Sequence, residues 1–221
     1  MSDPSTPSRG RWKKYLLELV VVFIGVTSAF LLGNWRESRQ ESHLEETYLR
    51  NILSDLDADS TALAANLDLF GEHLRKLERF MFSRDEAWSR DSTSTVLANS
   101  MNMIQFNGRP TTYESMKFSG HLYLVEDFEL RSQIVEYYEN YSTLDLAAET
   151  YSYWITQSLT PYYIQRFDMM NFDFVDPSTI EETEFKNRMF GYRVLLNQNL
   201  LLHREMLKLN RGLMQALVDL N

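Results

Sequence analysis

Residues 15–35, YLLELVVVFIGVTSAFLLGNW, form an apolar run of membrane length in a chain that is otherwise polar. At about 1.5 Å rise per residue, roughly 20 helical residues cross the ~30 Å hydrocarbon core of a bilayer. The run therefore constrains compartment, orientation and partners together. Four basic residues (Arg9, Arg11, Lys13, Lys14) precede it, and only Arg36 and Arg39 closely follow it. Positive charge is retained on the cytoplasmic side. The expected arrangement is a bacterial inner-membrane protein with a cytoplasmic N-terminus and residues 36–221 in the periplasm. Trp12 and Tyr15 at one end and Trp35 at the other suit the interfacial aromatic belts. The alternative is a signal peptide cleaved near Thr27-Ser28-Ala29. The helical pattern runs past that point unbroken, and cleavage would leave FLLGNW exposed, which favours an anchor. The expected organisation is a short basic cytoplasmic tail (1–14), a transmembrane helix (15–35) and a periplasmic helical domain (36–221). Residues 1–10 of the tail, MSDPSTPSRG, are Pro/Ser-rich and read as flexible.

Two features of the run bear on function. Glu18 is an acid inside the span, which points to a proton relay or a partner for a neighbouring cation. Its place near the boundary also suits snorkelling to the headgroups and pairing with Lys14 one turn back. Gly25, Ala29 and Gly33 are spaced four apart and form one smooth stripe. Small residues at that spacing let a second helix approach closely, either a copy of this one or another protein.

The rest of the chain is acidic. Residues 36–221 hold 18 of the 22 Lys and Arg and 29 of the 31 Asp and Glu, a net charge of −11. Phosphate binding needs a basic footprint, so nucleic acid is not an expected partner. Cysteine is absent, which excludes disulfides, thiol catalysis and cysteine zinc sites. With 8 Gly, 5 Pro and no strand–turn–strand rhythm, the expected fold class is all-α.

Helical periodicity supports that class. Leu49, Leu53, Leu56, Ser60, Leu63, Leu67, Phe70, Leu74, Leu77 and Met81 step by four and three, a bundle or coiled-coil seam. No Pro or Gly separates Trp35 from it, so one helix is expected to continue from the anchor, bent at most near Ser42. Residues 83–94 read as a loop. Asp91 or Ser92 could cap a helix reaching about Phe106. Asn107-Gly108-Arg109-Pro110 breaks the chain. Thr111 or Thr112 could cap a short helix stopped by Gly120, and HLYLVED follows with some strand character. A second long seam takes in Leu130, Ile134, Tyr137, Tyr141, Leu144, Ala148, Tyr151 and Ile155, until Thr160-Pro161 interrupts it. Residues 161–177 look irregular. The last helix spans about 178–219, with Phe185, Met189, Tyr192, Leu196, Met206, Leu213, Leu217 and Leu220 on its seam. Asn199, His203 and Asn210 fill the slots between. The expected architecture is a bundle of about three long and two short helices.

No stretch names a reaction. His43, His73, His121 and His203 lack partners at metal spacing, and His203 falls on a core face. Asp55, Asp57 and Asp59 match the start of a calcium loop, but Ser60 and Asn66 stand where Gly and Glu are needed. Phosphate loops and nucleophile elbows are not seen. No catalytic, cofactor or metal residue is expected. The aromatic cluster Tyr137, Tyr138, Tyr141, Tyr151, Tyr153, Trp154, Tyr162, Tyr163, Phe167, Phe172 and Phe174 could fill the wide end of a bundle. Alternatively Tyr153, Trp154, Tyr162 and Tyr163 could dock a partner, a pigment or a lipid.

KYLLELVVVFIGVxxAF with the exit Asn34-Trp35-Arg36-Glu37, and Thr112–Glu139 (TYESMKFSGHLYLVEDFELRSQIVEYYE), resemble a family of single-pass bacterial membrane proteins of unknown function, the DUF6090 family. The resemblance spans well over half the chain and implies an extracytoplasmic helical domain. It brings no catalytic residue. Anchor and domain together lead to the expectation of a non-enzymatic scaffold or accessory subunit of a larger inner-membrane complex, for example a respiratory or photosynthetic one. The other expectation is a periplasmic sensor signalling through a membrane partner. Expected contacts are the lipid bilayer and other integral membrane subunits, or a second copy of the chain.

Overall fold

The computed structural model describes residues 9–82, 90–168, 170–171 and 173–220. The chain divides into two compact units, Met1–Tyr48 and Leu49–Asn221. Helix α1, Arg9–Phe82, contributes to both. The tail expected at 1–14 is helical from Arg9 onward, and its first eight residues lie outside the described set, as do 83–89 of the expected loop and Phe172. Helix α1 is one of seven α-helices among the described residues, so the all-α class holds.

In the first unit the side chains of the apolar run stand exposed; Leu16, Phe23 and Leu32 all keep more than 60% of their surface. Helix α1 is long and apolar enough there to cross a membrane, by length and composition.

In the second unit α1 is followed by α2 (Arg90–Ser100), α3 (Thr111–Ser119), α4 (Phe128–Glu139), α5 (Tyr141–Trp154), α6 (Thr160–Arg166) and α7 (Thr183–Asp219). Side-chain contacts order them. Phe70 of α1 meets Tyr151 of α5, and Asp59 lower on α1 meets Tyr137 of α4, so the α4–α6 column ascends beside α1. Phe80 meets Phe185 and Asn210 reaches the Leu56 carbonyl, so α7 descends. Helix α2 and the segment after it descend from Asn99, level with Tyr192, to Arg109, level with Asp59. The elements thus run up, down, up and down around a core of large aromatic and aliphatic side chains.

Several expectations are corrected. Helix α2 ends at Ser100, and residues 102–110 are non-helical. Ile104 and Phe106 are buried while Gln105 and Asn107 are exposed. That period-two alternation marks an extended segment, here called the strap. Pro110, not a threonine, precedes α3 and makes no side-chain cap. Gly120 does stop α3, at φ 74°, a left-handed conformation that suits a residue without Cβ. HLYLVED holds a 3₁₀ turn at His121–Leu124 rather than strand.

The long seam divides at Asn140 but passes through Thr160-Pro161. A π turn at Ile155–Leu159 precedes the proline and places it in the first turn of α6, where a missing N–H costs little. Arg188 of α7 donates to the Ser158 carbonyl and hydroxyl, both at 2.6 Å, and so holds this turn. After Arg166 the chain forms a two-strand antiparallel pair, β1 (Phe167–Asp168) with β2 (Asp173–Phe174). A 3₁₀ turn at Pro177–Glu181 follows, and α7 starts only at Thr183.

The α1 seam is also rotated. Leu56, Leu63, Phe70 and Leu77 are buried as expected. The other buried positions are Ile52, Asp59, Asn66, His73 and Phe80, while Leu53, Ser60, Leu67, Leu74 and Met81 are only half-buried. Buried positions still alternate by four and three, but every seventh one between 59 and 73 is polar. On α4 and α5 the shift is smaller: Ala147 is buried and Ala148 half-buried.

Candidate functional site

The polar seam residues build a column through the second unit, and its geometry follows from the strap. An extended segment without a ladder partner leaves its backbone polar groups unpaired, and burying them unpaired costs free energy comparable to a lost hydrogen bond. Here core side chains take them. Tyr151 donates to the Asn102 carbonyl at 3.0 Å, and just above the strap Tyr192 donates to the Asn99 carbonyl at the end of α2 at 3.1 Å. Asn66 Nδ2 donates to the Gln105 carbonyl at 3.1 Å, and the Arg109 N–H donates to Asp59 Oδ1 at 3.0 Å. The spacing fits. Asp59 to Asn66 spans about 11 Å of helix at 1.5 Å per residue. Gln105 to Arg109, the strap residues they bond, spans about 13 Å of extended chain at ~3.3 Å per residue.

At the foot of the column Asp59 is 1% exposed. Besides the Arg109 N–H it accepts the Tyr137 hydroxyl at 3.0 Å and the Tyr141 hydroxyl. Burial pushes its pKa up, against the three donors, which pull it down. The tyrosines are also pushed away from ionisation: burial first, then the neighbouring charge or hydroxyl, holds Tyr137 and Tyr141 well above the usual phenol range. Asn210 Nδ2 donates to Tyr137 Oη at 3.0 Å and to the Leu56 carbonyl at 2.9 Å. Among the described residues Asn210 Oδ1 and the Tyr138 hydroxyl are buried with no hydrogen-bond partner.

In the middle, His203 Nδ1 lies 2.9 Å from the Asn199 carbonyl and Nε2 lies 3.3 Å from Asn66 Nδ2. A carbonyl can only accept, so Nδ1 carries the proton and Nε2 accepts from Asn66. The Phe70 and Phe106 rings approach the imidazole edge-on, with centroids at 5.0 and 6.3 Å. Burial pushes the His203 pKa down. At the top, His73 Nδ1 lies 3.3 Å from the Tyr192 hydroxyl, and burial lowers its pKa too.

Asp59, Asn66 and His73 were not singled out from the sequence as column residues. A polar residue at every seventh position, in phase with Leu56, Leu63, Phe70 and Leu77, was the available signal. Asn199, His203 and Asn210 were expected in seam slots and are buried there. Asp55, Asp57 and Asp59 sit on one helix and enclose no loop; Asp55 accepts the Thr112 hydroxyl at 2.6 Å. Among the described residues no group of three or more His, Asp or Glu side chains is placed to hold a metal ion.

The other singled-out residues fall elsewhere. Tyr162 and Tyr163 are core residues, 5% and 1% exposed; the Tyr163 hydroxyl meets that of Ser100 at 2.7 Å. Trp154 is half-buried against Gly191 and Tyr153 points outward. Tyr113 stacks on Tyr138 at 4.7 Å and donates to Glu139 at 3.0 Å, which also pairs with Lys117 at 2.7 Å. In the first unit Trp12, Tyr15, Glu18, Gly25, Ala29, Gly33 and Trp35 are all exposed. A Cβ on Gly25 or Gly33 would meet nothing within 4 Å, and the Arg39 guanidinium lies 4.9 Å from the Trp35 ring.

No family model, curated protein or solved structure matches this chain.

Proposed function

We propose that the protein is a single-pass, membrane-anchored helical scaffold, an accessory subunit that holds its domain beside a larger inner-membrane complex. The observation that carries this reading is the exposure of the apolar run in the first unit, which needs lipid or other helices around it. The open stripe Gly25, Ala29 and Gly33 is the place where a neighbouring span would pack. The basic residues before the run and the resemblance of its sequence support a cytoplasmic N-terminus and a periplasmic domain.

The test is extraction in a gentle detergent, affinity capture and mass spectrometry of what accompanies the chain. A stoichiometric set of membrane subunits, lost on Gly25→Leu and Ala29→Leu while the domain stays folded, is the expected result. Full retention of partners in both variants would remove the stripe from the reading, and recovery of the chain alone would remove the subunit role.

A sensor is the second reading, favoured by the assignment of Arg9–Phe82 as one helix from the anchor into the domain. It requires a membrane partner to carry the output.

A further inference from the structure

We propose that His203 is a proton-operated latch on the strap, so that mild acid releases residues 101–110 from the core while the helices stay folded. The inference rests on the hydrogen-bond directions in the domain and is independent of what the anchor binds.

The chain of bonds has one sense. The Asn199 carbonyl fixes the His203 proton on Nδ1. Nε2 is then an acceptor, and it takes a hydrogen from Asn66 Nδ2. The same Asn66 nitrogen gives its other hydrogen to the strap carbonyl of Gln105. When a second proton binds, Nε2–H faces the Asn66 amide nitrogen, donor against donor. Asn66 relieves this by turning its amide so that Oδ1 accepts from Nε2–H. The oxygen then also faces the Gln105 carbonyl, which loses its donor and meets a second acceptor. A half-buried carbonyl left that way turns to water, and the strap loses its tether to α1.

The surroundings do not oppose this sequence with charge. From α1, His203 meets Asn66 and the Phe70 ring, with Asp59 and His73 one heptad to either side of Asn66. From the strap it meets the Phe106 ring, against which Tyr141 of α5 packs; Tyr151 of α5 packs on Phe70. From α7 it meets the Asn199 carbonyl. No charged side chain among the described residues contributes to its titration, and burial alone sets the direction, downward from 6.5. Release therefore belongs below neutral pH. His73 does not share the mechanism: the Tyr192 hydroxyl gives its hydrogen to Asn99, so His73 Nδ1 is already a donor and a proton on Nε2 leaves that bond intact.

The chain has no cysteine, so one introduced thiol reports strap opening cleanly. Ile104 is 5% exposed and its neighbour Met103 is 53% exposed. Full-length protein in detergent micelles carrying Ile104→Cys or Met103→Cys is labelled with a methanethiosulfonate between pH 7.5 and 5.5. The ratio of the two rates cancels the intrinsic pH dependence of the thiol. The expected ratio rises about tenfold on acidification with His203 present and less than twofold in His203→Gln, whose side-chain oxygen accepts from Asn66 but does not titrate. Asn66→Ala, which cuts the link from the other side, leaves the ratio high at both pH values. A flat ratio in the parent, an equal rise in His203→Gln, or a rise accompanied by loss of helical circular dichroism would each overturn the proposal.

Discussion

Two glycines of α7 separate packing from propensity. Alanine in place of glycine inside a helix gains about 1 kcal/mol of helix propensity. At Gly212 nothing lies within 4 Å of where the Cβ would stand, so Gly212→Ala collects that gain. At Gly191 the same Cβ would lie 2.7 and 2.9 Å from Cη2 and Cε2 of Trp154, and closer still to Cζ2. A rigid indole cannot yield as a flexible chain end does, so overpacking costs about 3 kcal/mol, the upper end of its usual range. The net loss is about 2 kcal/mol. For a domain of this size 1 kcal/mol moves Tm by about 2–4 °C. Thermal unfolding of the full chain in micelles, followed at 222 nm, should show Gly212→Ala up by about 2–4 °C and Gly191→Ala down by about 4–8 °C. In a Trp154→Ala background Gly191→Ala should become stabilising, a coupling of about 3 kcal/mol. If both alanines shift Tm the same way, or the coupling vanishes, the packing of α5 on α7 through Trp154 and Gly191 is wrong.

The remaining expectations follow from the column and its capping turns. Asp59→Ala strands the Arg109 N–H and two tyrosine hydroxyls and should cost about 3 kcal/mol; Asp59→Asn should cost less than half of that in a urea titration, because the hydroxyls can rotate to accept. The opposite order would sink the account of Asp59 as a pure acceptor. The domain should lose stability in mild acid. His73 and His203 have folded pKa values below 6.5, so the unfolded chain takes their protons first, and stability present above 6.5 falls as pH drops toward the folded values. Asp59 acts oppositely: its folded pKa is raised, so the native state gains as pH falls through that value toward 3.8. Urea midpoints between pH 7.5 and 5.0 should decline, and the decline should flatten when both histidines are replaced by glutamine. Gly120→Ala places a Cβ at φ 74° and should cost about 1 kcal/mol, although the space around it is open; an unchanged midpoint would argue against the left-handed stop.

The helices were legible in the sequence wherever one face is apolar and the phase is unambiguous, as in α7, whose buried face matches the expected seam almost position for position. On α1 the apolar residues were so abundant that two adjacent seams fitted, and Leu67 and Leu74 looked more like core than Asn66 and His73. Burial of an Asn or His is favourable only when its partner is in place. Those partners, the strap for Asn66 and Tyr192 of α7 for His73, come from residues 39 and 119 positions away, and periodicity within α1 carries no information about them. The strap sequence itself predicts helix, because MNMIQF has no breaker before Asn107. Pro161 misled in the other sense. Read alone, Thr160-Pro161 ends a helix, but a π turn before it and Arg188 from α7 let the column continue.

The strap also explains two of the polar groups in this core, Asp59 and Asn66. A helix in its place would satisfy its own backbone and could lie against an apolar seam. An extended strap cannot, and its carbonyls at Asn102 and Gln105 take donors from α5 and α1, helices that have their own packing to complete. Its tethers are therefore separate side-chain bonds, not a ladder, and losing one does not unzip a neighbouring strand. Local opening at the strap breaks fewer cooperative contacts than opening at any of the long helices. Protection at the strap should thus sit below that of α7 even at neutral pH. Hydrogen exchange supplies the comparison, because the Arg109 amide, bonded to Asp59, reports strap opening and the buried backbone around Leu196 reports the helix core. Equal protection at both places would mean that the strap opens only with the whole domain. The column would then be a device for fixing helix register, as a single buried asparagine is in coiled coils, and the latch at His203 would have no segment of its own to release.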